Sequence, residues 1–149
     1  EIMPSLVGSE MCIRDSIEGR DSIDRRFYEK QYTMIDPKHF EPIVDGMWRG
    51  VNVGGTSTAA RLEGLDVCGK TGTAENPRGR DHSTFLSFAP KDNPKIAISV
   101  YVENGGFGAS AALPIASLLE EYYLTDTIRR PALLEHIKNM NIYYPSYDR

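Results

Sequence analysis

Apolar positions recur along this chain with two different periods, and the change of period divides it into elements. Phe40, Ile43, Val44, Met47 and Val51 follow the i, i+3, i+4, i+7 spacing that gathers side chains on one face of a helix. Asp36-Pro37 supplies a start signal, a short acceptor side chain followed by a proline that the first turn tolerates. Pro42 inside the stretch requires either a kink or a start one turn later. Gly54-Gly55 ends the helix, and Thr56–Leu62 is expected to form a short second one capped by Thr56.

After that the period shortens to that of strands. Leu65–Thr73, Ser83–Ala89 and Lys95–Glu103 read as three strands, the second alternating around Phe85 and Phe88. The link Lys91-Asp-Asn-Pro94 is turn chemistry, so the last two strands should pair as an antiparallel hairpin. Ala74–His82, with Asn76-Pro77 and Gly79, is a longer loop. Ala109–Leu124 returns to a helical period, with Ile115, Leu118, Leu119 and Tyr122 on one face and Pro114 marking a kink or the true start. Pro131–Met140 is a last short helix and Tyr143–Arg149 a tail. The expected fold class is therefore α+β, an antiparallel sheet flanked by helices. Three strands are few for a chain of 149 residues, which points to a sheet completed by residues outside it.

Residues 1–16 show neither period. The string Ser5-Leu-Val-Gly-Ser-Glu-Met-Cys-Ile-Arg-Asp15 resembles adapter-derived peptide at the broken end of a translated reading frame, so 1–16 is read as a non-native or disordered lead-in. Composition adds exclusions. A net charge of -4 without a basic cluster argues against a nucleic-acid partner. Two cysteines, Cys12 and Cys68, are too few for a disulfide scaffold. Ile96–Val102 and Ala111–Leu119 are too short to span a bilayer. No Cys/His spacing suggests a zinc site, and no cofactor is implied. His39 and His136 read as exposed helix residues, His82 as a cap between loop and strand, and Glu120-Glu121 as a solvated helix face.

The candidate chemistry lies in Lys70-Thr71-Gly72-Thr73. Gly64 to Thr71 formally matches the G-x-x-x-x-G-K-[ST] phosphate loop, but that loop needs a helix after it, and Gly72, Asn76, Pro77 and Gly79 oppose one. The competing reading is the K-T-G strand of serine acyl-transferases, which edges a cleft opposite a nucleophile. There an ammonium adds positive charge, hydroxyls hold a carboxylate, and glycine permits close approach of substrate.

Gly46-Met47, Gly55-Thr56, Gly69-Lys-Thr-Gly-Thr-Ala74, Phe88-Ala-Pro90 and Val102-Glu-Asn-Gly-Gly106 occur in the order and spacing of class B penicillin-binding proteins. With Asp81-His82-Ser83, the chain most resembles their elongation-type members. One departure is Thr84, where many relatives carry tryptophan. The resemblance implies that residues 17–124 are the C-terminal part of a transpeptidase domain with a partial β-lactamase/transpeptidase-like fold, and that 125–149 is a C-terminal tail. It implies peptidoglycan stem peptides and β-lactams as ligands, a glycosyltransferase among cell-wall elongation partners, and a place in the bacterial cell envelope with a membrane anchor outside this chain. Carried over by position, Lys70 is the motif lysine, Thr71 and Thr73 bind a carboxylate, the Thr73 N–H serves an oxyanion, and Gly72 allows close approach. The family's S-x-x-K and S-x-N motifs do not occur here; Ser22-Ile-Asp-Arg25 ends in an arginine that cannot act as the base. The nucleophile is therefore expected upstream, and this chain alone is expected to be inactive. A fold that has lost its chemistry and serves as an interaction module is the alternative, against which the intact Lys70–Thr73 argues.

Overall fold

A computed structural model of the chain describes residues 33–142. The lead-in 1–16 and the tail Tyr143–Arg149 lie outside the described residues. The chain divides into two compact units, 1–43 and 44–149. In the first, Asp36 Oδ1 accepts the Lys38 N–H at 3.1 Å and caps a 3₁₀ turn, Pro37–His39. Helix α1 (Phe40–Asn52) follows directly. Pro42 thus sits in its first turn, where a missing N–H forfeits no hydrogen bond. Ile43 shares the helical period yet is exposed.

The second unit holds the rest of α1, then β1 (Cys68–Ala74), β2 (His82–Ala89), β3 (Ile96–Val102), α2 (Ala112–Thr125) and α3 (Pro131–Lys138). The strands form one antiparallel sheet in the order β1-β2-β3. Lys91–Pro94 makes the expected tight link, with Asn93 in the left-handed region (φ 55°) and Lys95 N–H bonded to Ala89 O at 2.8 Å. The first strand is shorter than its apolar run suggests. Leu65 instead makes an isolated bridge with Leu62, and β1 starts at Cys68.

Alternation sorts the two faces of the sheet. Ser83, Phe85, Ser87 and Ala89 of β2 are buried, and Ile98, Val100 and Val102 of β3 pack on the same side against Leu113 and Ala116 of α2. Val51 and Val67 complete that core. On the opposite face Lys70, Leu86, Ser99 and Tyr101 are exposed. Within this unit the Trp48 indole N–H donates to Asp66 at 2.8 Å, and the Lys91 ammonium lies 5.1 Å from its ring.

Two sequence expectations are corrected. Thr56–Leu62 is no helix capped by Thr56; it contains a 3₁₀ turn, Thr58–Ala60, preceded by Ser57. The stripe Ile115, Leu118, Leu119 and Tyr122 lines a groove towards Leu134 and Ile137 of α3, with Leu119 and Tyr122 exposed. The sheet side of α2 is Leu113, Ala116, Ser117 and Glu120. Glu120-Glu121 is accordingly buried, at 0% and 5% exposure, and not a solvated face. Helix α2 begins at Ala112, which places Pro114 in its first turn.

Phe85 sits at the centre of this packing, fully buried and against Gly69, where an added methyl would meet its ring at 2.6 Å. Replacing Phe85 with alanine should cost about 3–5 kcal/mol, the usual range for a core aromatic. Leu86→Ala, one residue away on the open face, should change stability by less than about 1 kcal/mol. Urea unfolding of the two variants measures the contrast, and equal losses would contradict the assignment of faces.

Candidate active site

Lys70, Thr71, Gly72 and Thr73 all lie on β1, in register with Leu86, Phe85, Thr84 and Ser83 of β2. Among the described residues no strand pairs with the other edge of β1, so these four residues stand along an open edge. No helix begins at Thr71, and the strand runs on to Ala74. A phosphate loop needs that helix N-terminus to cradle its ligand, so the phosphate-loop alternative fails on the geometry.

Lys70 and Gly72 share one face of the strand, and Thr71 and Thr73 the other. Lys70 is exposed, and its ammonium donates to Thr71 O at 2.7 Å. The space over Gly72 is filled from within the sheet: a Cβ there would collide with the Thr84 hydroxyl. Thr84 is the departure noted in the sequence, and it sits directly beside the motif. On the far side the backbone of Gly108 lies flat on the sheet; a Cβ on Gly108 would meet Gly72 O at 2.6 Å and Thr84 O at 2.7 Å. Glycine at both positions is thus required by close approach of backbone to backbone and of side chain to backbone.

Both hydroxyls have a partner. The Thr71 hydroxyl lies 3.1 Å from that of Thr56. The Thr73 hydroxyl accepts the Gly108 N–H at 3.4 Å. A hydroxyl that accepts a bond retains its own proton to donate. Two side chains two residues apart on a strand are roughly 7 Å apart, a span that one carboxylate can bridge with a hydrogen bond at each end.

Sequence reasoning did not assign Thr56 or Gly108 to the site. The signal for Thr56 was the preceding Gly54-Gly55. Gly54 takes φ +87°, and Gly55 packs so closely on Gly50 that a Cβ would lie 2.6 Å from its Cα. That turn, with Ser57 N–H bonded to Gly50 O at 3.1 Å, brings Thr56 back to β1. Gly108 is placed by Ser83, whose buried hydroxyl donates to Phe107 O at 2.8 Å and accepts the Ala112 N–H at 2.9 Å. His82 takes the capping place expected of it, accepting the Asn104 N–H on Nδ1 at 3.0 Å. Cys68 at the start of β1 is no nucleophile: burial pushes its thiol up to about 12, a rise that the Lys91 charge only partly opposes.

Residues 9–119 match the family model described as the penicillin-binding protein transpeptidase domain. The peptidoglycan D,D-transpeptidase MrdA of Haemophilus influenzae is 36% identical over 100 residues, covering 56% of this chain and 15% of that protein. The peptidoglycan D,D-transpeptidase PbpA of Mycolicibacterium smegmatis is 32% identical over 103 residues, covering 65% of this chain and 21% of that protein. The chain therefore spans about a fifth or less of the length of these relatives. Among solved structures, the imipenem acyl-enzyme complex of penicillin-binding protein A from M. tuberculosis superposes with a TM-score of 0.56 at 30% identity, over 65% of this chain and 22% of that one.

The packing at Gly108 generates a test. Gly108→Ala should destabilise the chain by about 1–3 kcal/mol, because the methyl must displace backbone. Gly46→Ala, at a helix position where a Cβ meets nothing within 4 Å, should stabilise it by about 0.5–1 kcal/mol. Denaturant midpoints measured side by side decide, and a neutral Gly108→Ala would contradict the flat packing of the loop on β1 and β2.

Proposed function

Because this chain belongs to the penicillin-binding protein transpeptidase family, we propose that its β1 edge is one wall of the active site of a peptidoglycan D,D-transpeptidase. The observation that carries the reading is the open strand Lys70–Thr73, with two hydroxyls on one face: Thr73 accepts the Gly108 N–H and keeps its own proton for an anion, and Thr71 is positioned by its contact with the Thr56 hydroxyl. The ligand is the D-Ala-D-Ala end of a stem peptide, or a β-lactam in its place. Thr71 and Thr73 hold its carboxylate. The Lys70 ammonium raises the local positive potential, and the Thr73 N–H is a donor to the oxyanion.

The reaction is acyl transfer. A serine hydroxyl attacks the carbonyl between the two D-alanines, its proton passes to a base, and the C–N bond breaks as D-alanine leaves with a proton. The acyl group then passes from the serine ester to an amine of a neighbouring stem, which gives up a proton and releases the serine. The serine and its lysine base are assigned to a part of the protein outside this chain, whose 149 residues contain neither S-x-x-K nor S-x-N. The whole protein would act at the cell envelope beside a glycosyltransferase, held by a membrane anchor outside this chain. Among the described residues no helix is long and apolar enough to cross a membrane.

In the complete enzyme, Lys70→Ala should slow acylation by a penicillin by about 10²–10³-fold, the usual loss when a group that stabilises the developing charge is removed. Stopped-flow acylation of parent and variant measures it, and near-equal rates would remove Lys70 from the chemistry. Thr56→Val should act differently. Loss of one neutral hydrogen bond is worth about 0.5–1.5 kcal/mol, so penicillin binding before acylation should weaken roughly 2–10-fold, with Thr56→Ser near the parent. An unchanged binding step in Thr56→Val would show that Thr71 needs no orienting partner.

A further inference from the structure

Helix α2 carries Glu120 and Glu121 side by side, and the helical step points adjacent side chains about 100° apart. Their fates differ accordingly. Glu121 pairs with Arg130, Oε2 to Nε at 3.2 Å. Glu120 is turned under the sheet, 0% exposed, and neither of its carboxyl oxygens makes a hydrogen bond. Facing it on β2 is Ser87, 4% exposed, whose hydroxyl is likewise unpartnered.

The surroundings offer Glu120 no cation at contact distance. Arg130 is committed elsewhere: besides Glu121, it donates to Ser117 O at 2.9 Å and to Ala59 O at 3.4 Å. The turn Thr58–Ala60 brings no titratable side chain, and β3 presents Ile98 and Val100. From β1 the nearest titratable group is the Cys68 thiol, itself un-ionised. An ionised carboxylate in such a place is costly, whereas a neutral acid needs only one acceptor for its proton. Burial pushes Glu120 up to about 7; the Ser87 hydroxyl and then the Arg130 charge oppose that rise without cancelling it. Ser87 is near enough to soften the charge, yet the two groups make no hydrogen bond with each other.

We infer that Glu120 is carried as a neutral carboxylic acid packed against Ser87 between α2 and β2, and that its ionisation, by leaving a charge in an interior that cannot solvate it, loosens the helix from the strand backing β1. Ser87 stands in register with Gly69, next to Lys70, so this packing lies one residue from the candidate site. The inference goes beyond the transpeptidase reading and does not depend on it.

The sign of the pH effect follows from linkage. The folded chain holds the Glu120 proton up to about 7, whereas the unfolded chain releases it near its ordinary 4.5. Between these values the folded state binds more protons, so the stabilisation is complete below the lower value and is lost as pH rises through the upper. The folding constant changes by up to about tenfold per pH unit in that window. Urea unfolding of the full chain at pH 5 and pH 8 should show the parent losing on the order of 10²-fold more in its folding constant than Glu120→Gln. The three histidines are common to both and cancel in the comparison. Equal pH dependence in the two would overturn the inference. A second measurement uses the complete protein. Infrared difference spectra should show a protonated-carboxyl C=O band near pH 6 that is lost by pH 8 and missing in Glu120→Gln. In Ser87→Ala the midpoint of its loss should move to higher pH, because the charge loses its nearest dipole. Absence of that band from the parent, or an unmoved midpoint in Ser87→Ala, would overturn it as well.

Discussion

The buried Ser83 hydroxyl is the joint on which this arrangement depends. It donates to Phe107 O and accepts the Ala112 N–H, so β2, the loop that follows β3 and the first turn of α2 meet at one oxygen. Ser83 stands opposite Thr73 in the register. Fixing the loop at Ser83 therefore fixes Gly108 over Gly72 and Thr84 and brings its N–H to the Thr73 hydroxyl. The edge strand needs such support because it is paired on one side only. Such an edge strand relies on what lies above and behind it, and here a two-glycine contact and a buried serine provide it.

Much of this was legible in the sequence because the periodicities are strong and local. The strand alternation around Phe85, the turn residues at Lys91–Pro94 and the proline before Lys38 each carry their own physical signal, and the elements appear within a few residues of their expected limits. The strand nature of Lys70–Thr73 followed from what excluded a helix after it. The α+β class, the antiparallel order and the family of the chain stand as expected.

What was not legible depends on contacts between distant segments. Thr56 is a good cap residue, and local chemistry assigned it to a helix start. Its partner is Thr71, fifteen positions away, reached only because Gly54 and Gly55 fold the chain back. Glu120 and Glu121 look like a solvated pair because charged residues are seldom buried. The apolar stripe on the same helix serves α3, leaving Glu120 to face the sheet. The Thr84 hydroxyl stands where a Cβ on Gly72 would lie, a cross-strand contact that the sequence alone does not show.

The central claim is that the edge of β1 holds the carboxylate of a D-Ala-D-Ala-like ligand through Thr71 and Thr73. A crystal structure of the complete protein acylated by a penicillin tests it most directly. The account predicts the ligand carboxylate within hydrogen-bond distance of both hydroxyls, with the Thr56–Thr71 and Gly108–Thr73 contacts retained. A carboxylate held elsewhere, with Thr71 and Thr73 still bonded only to their neighbours in the chain, would contradict it.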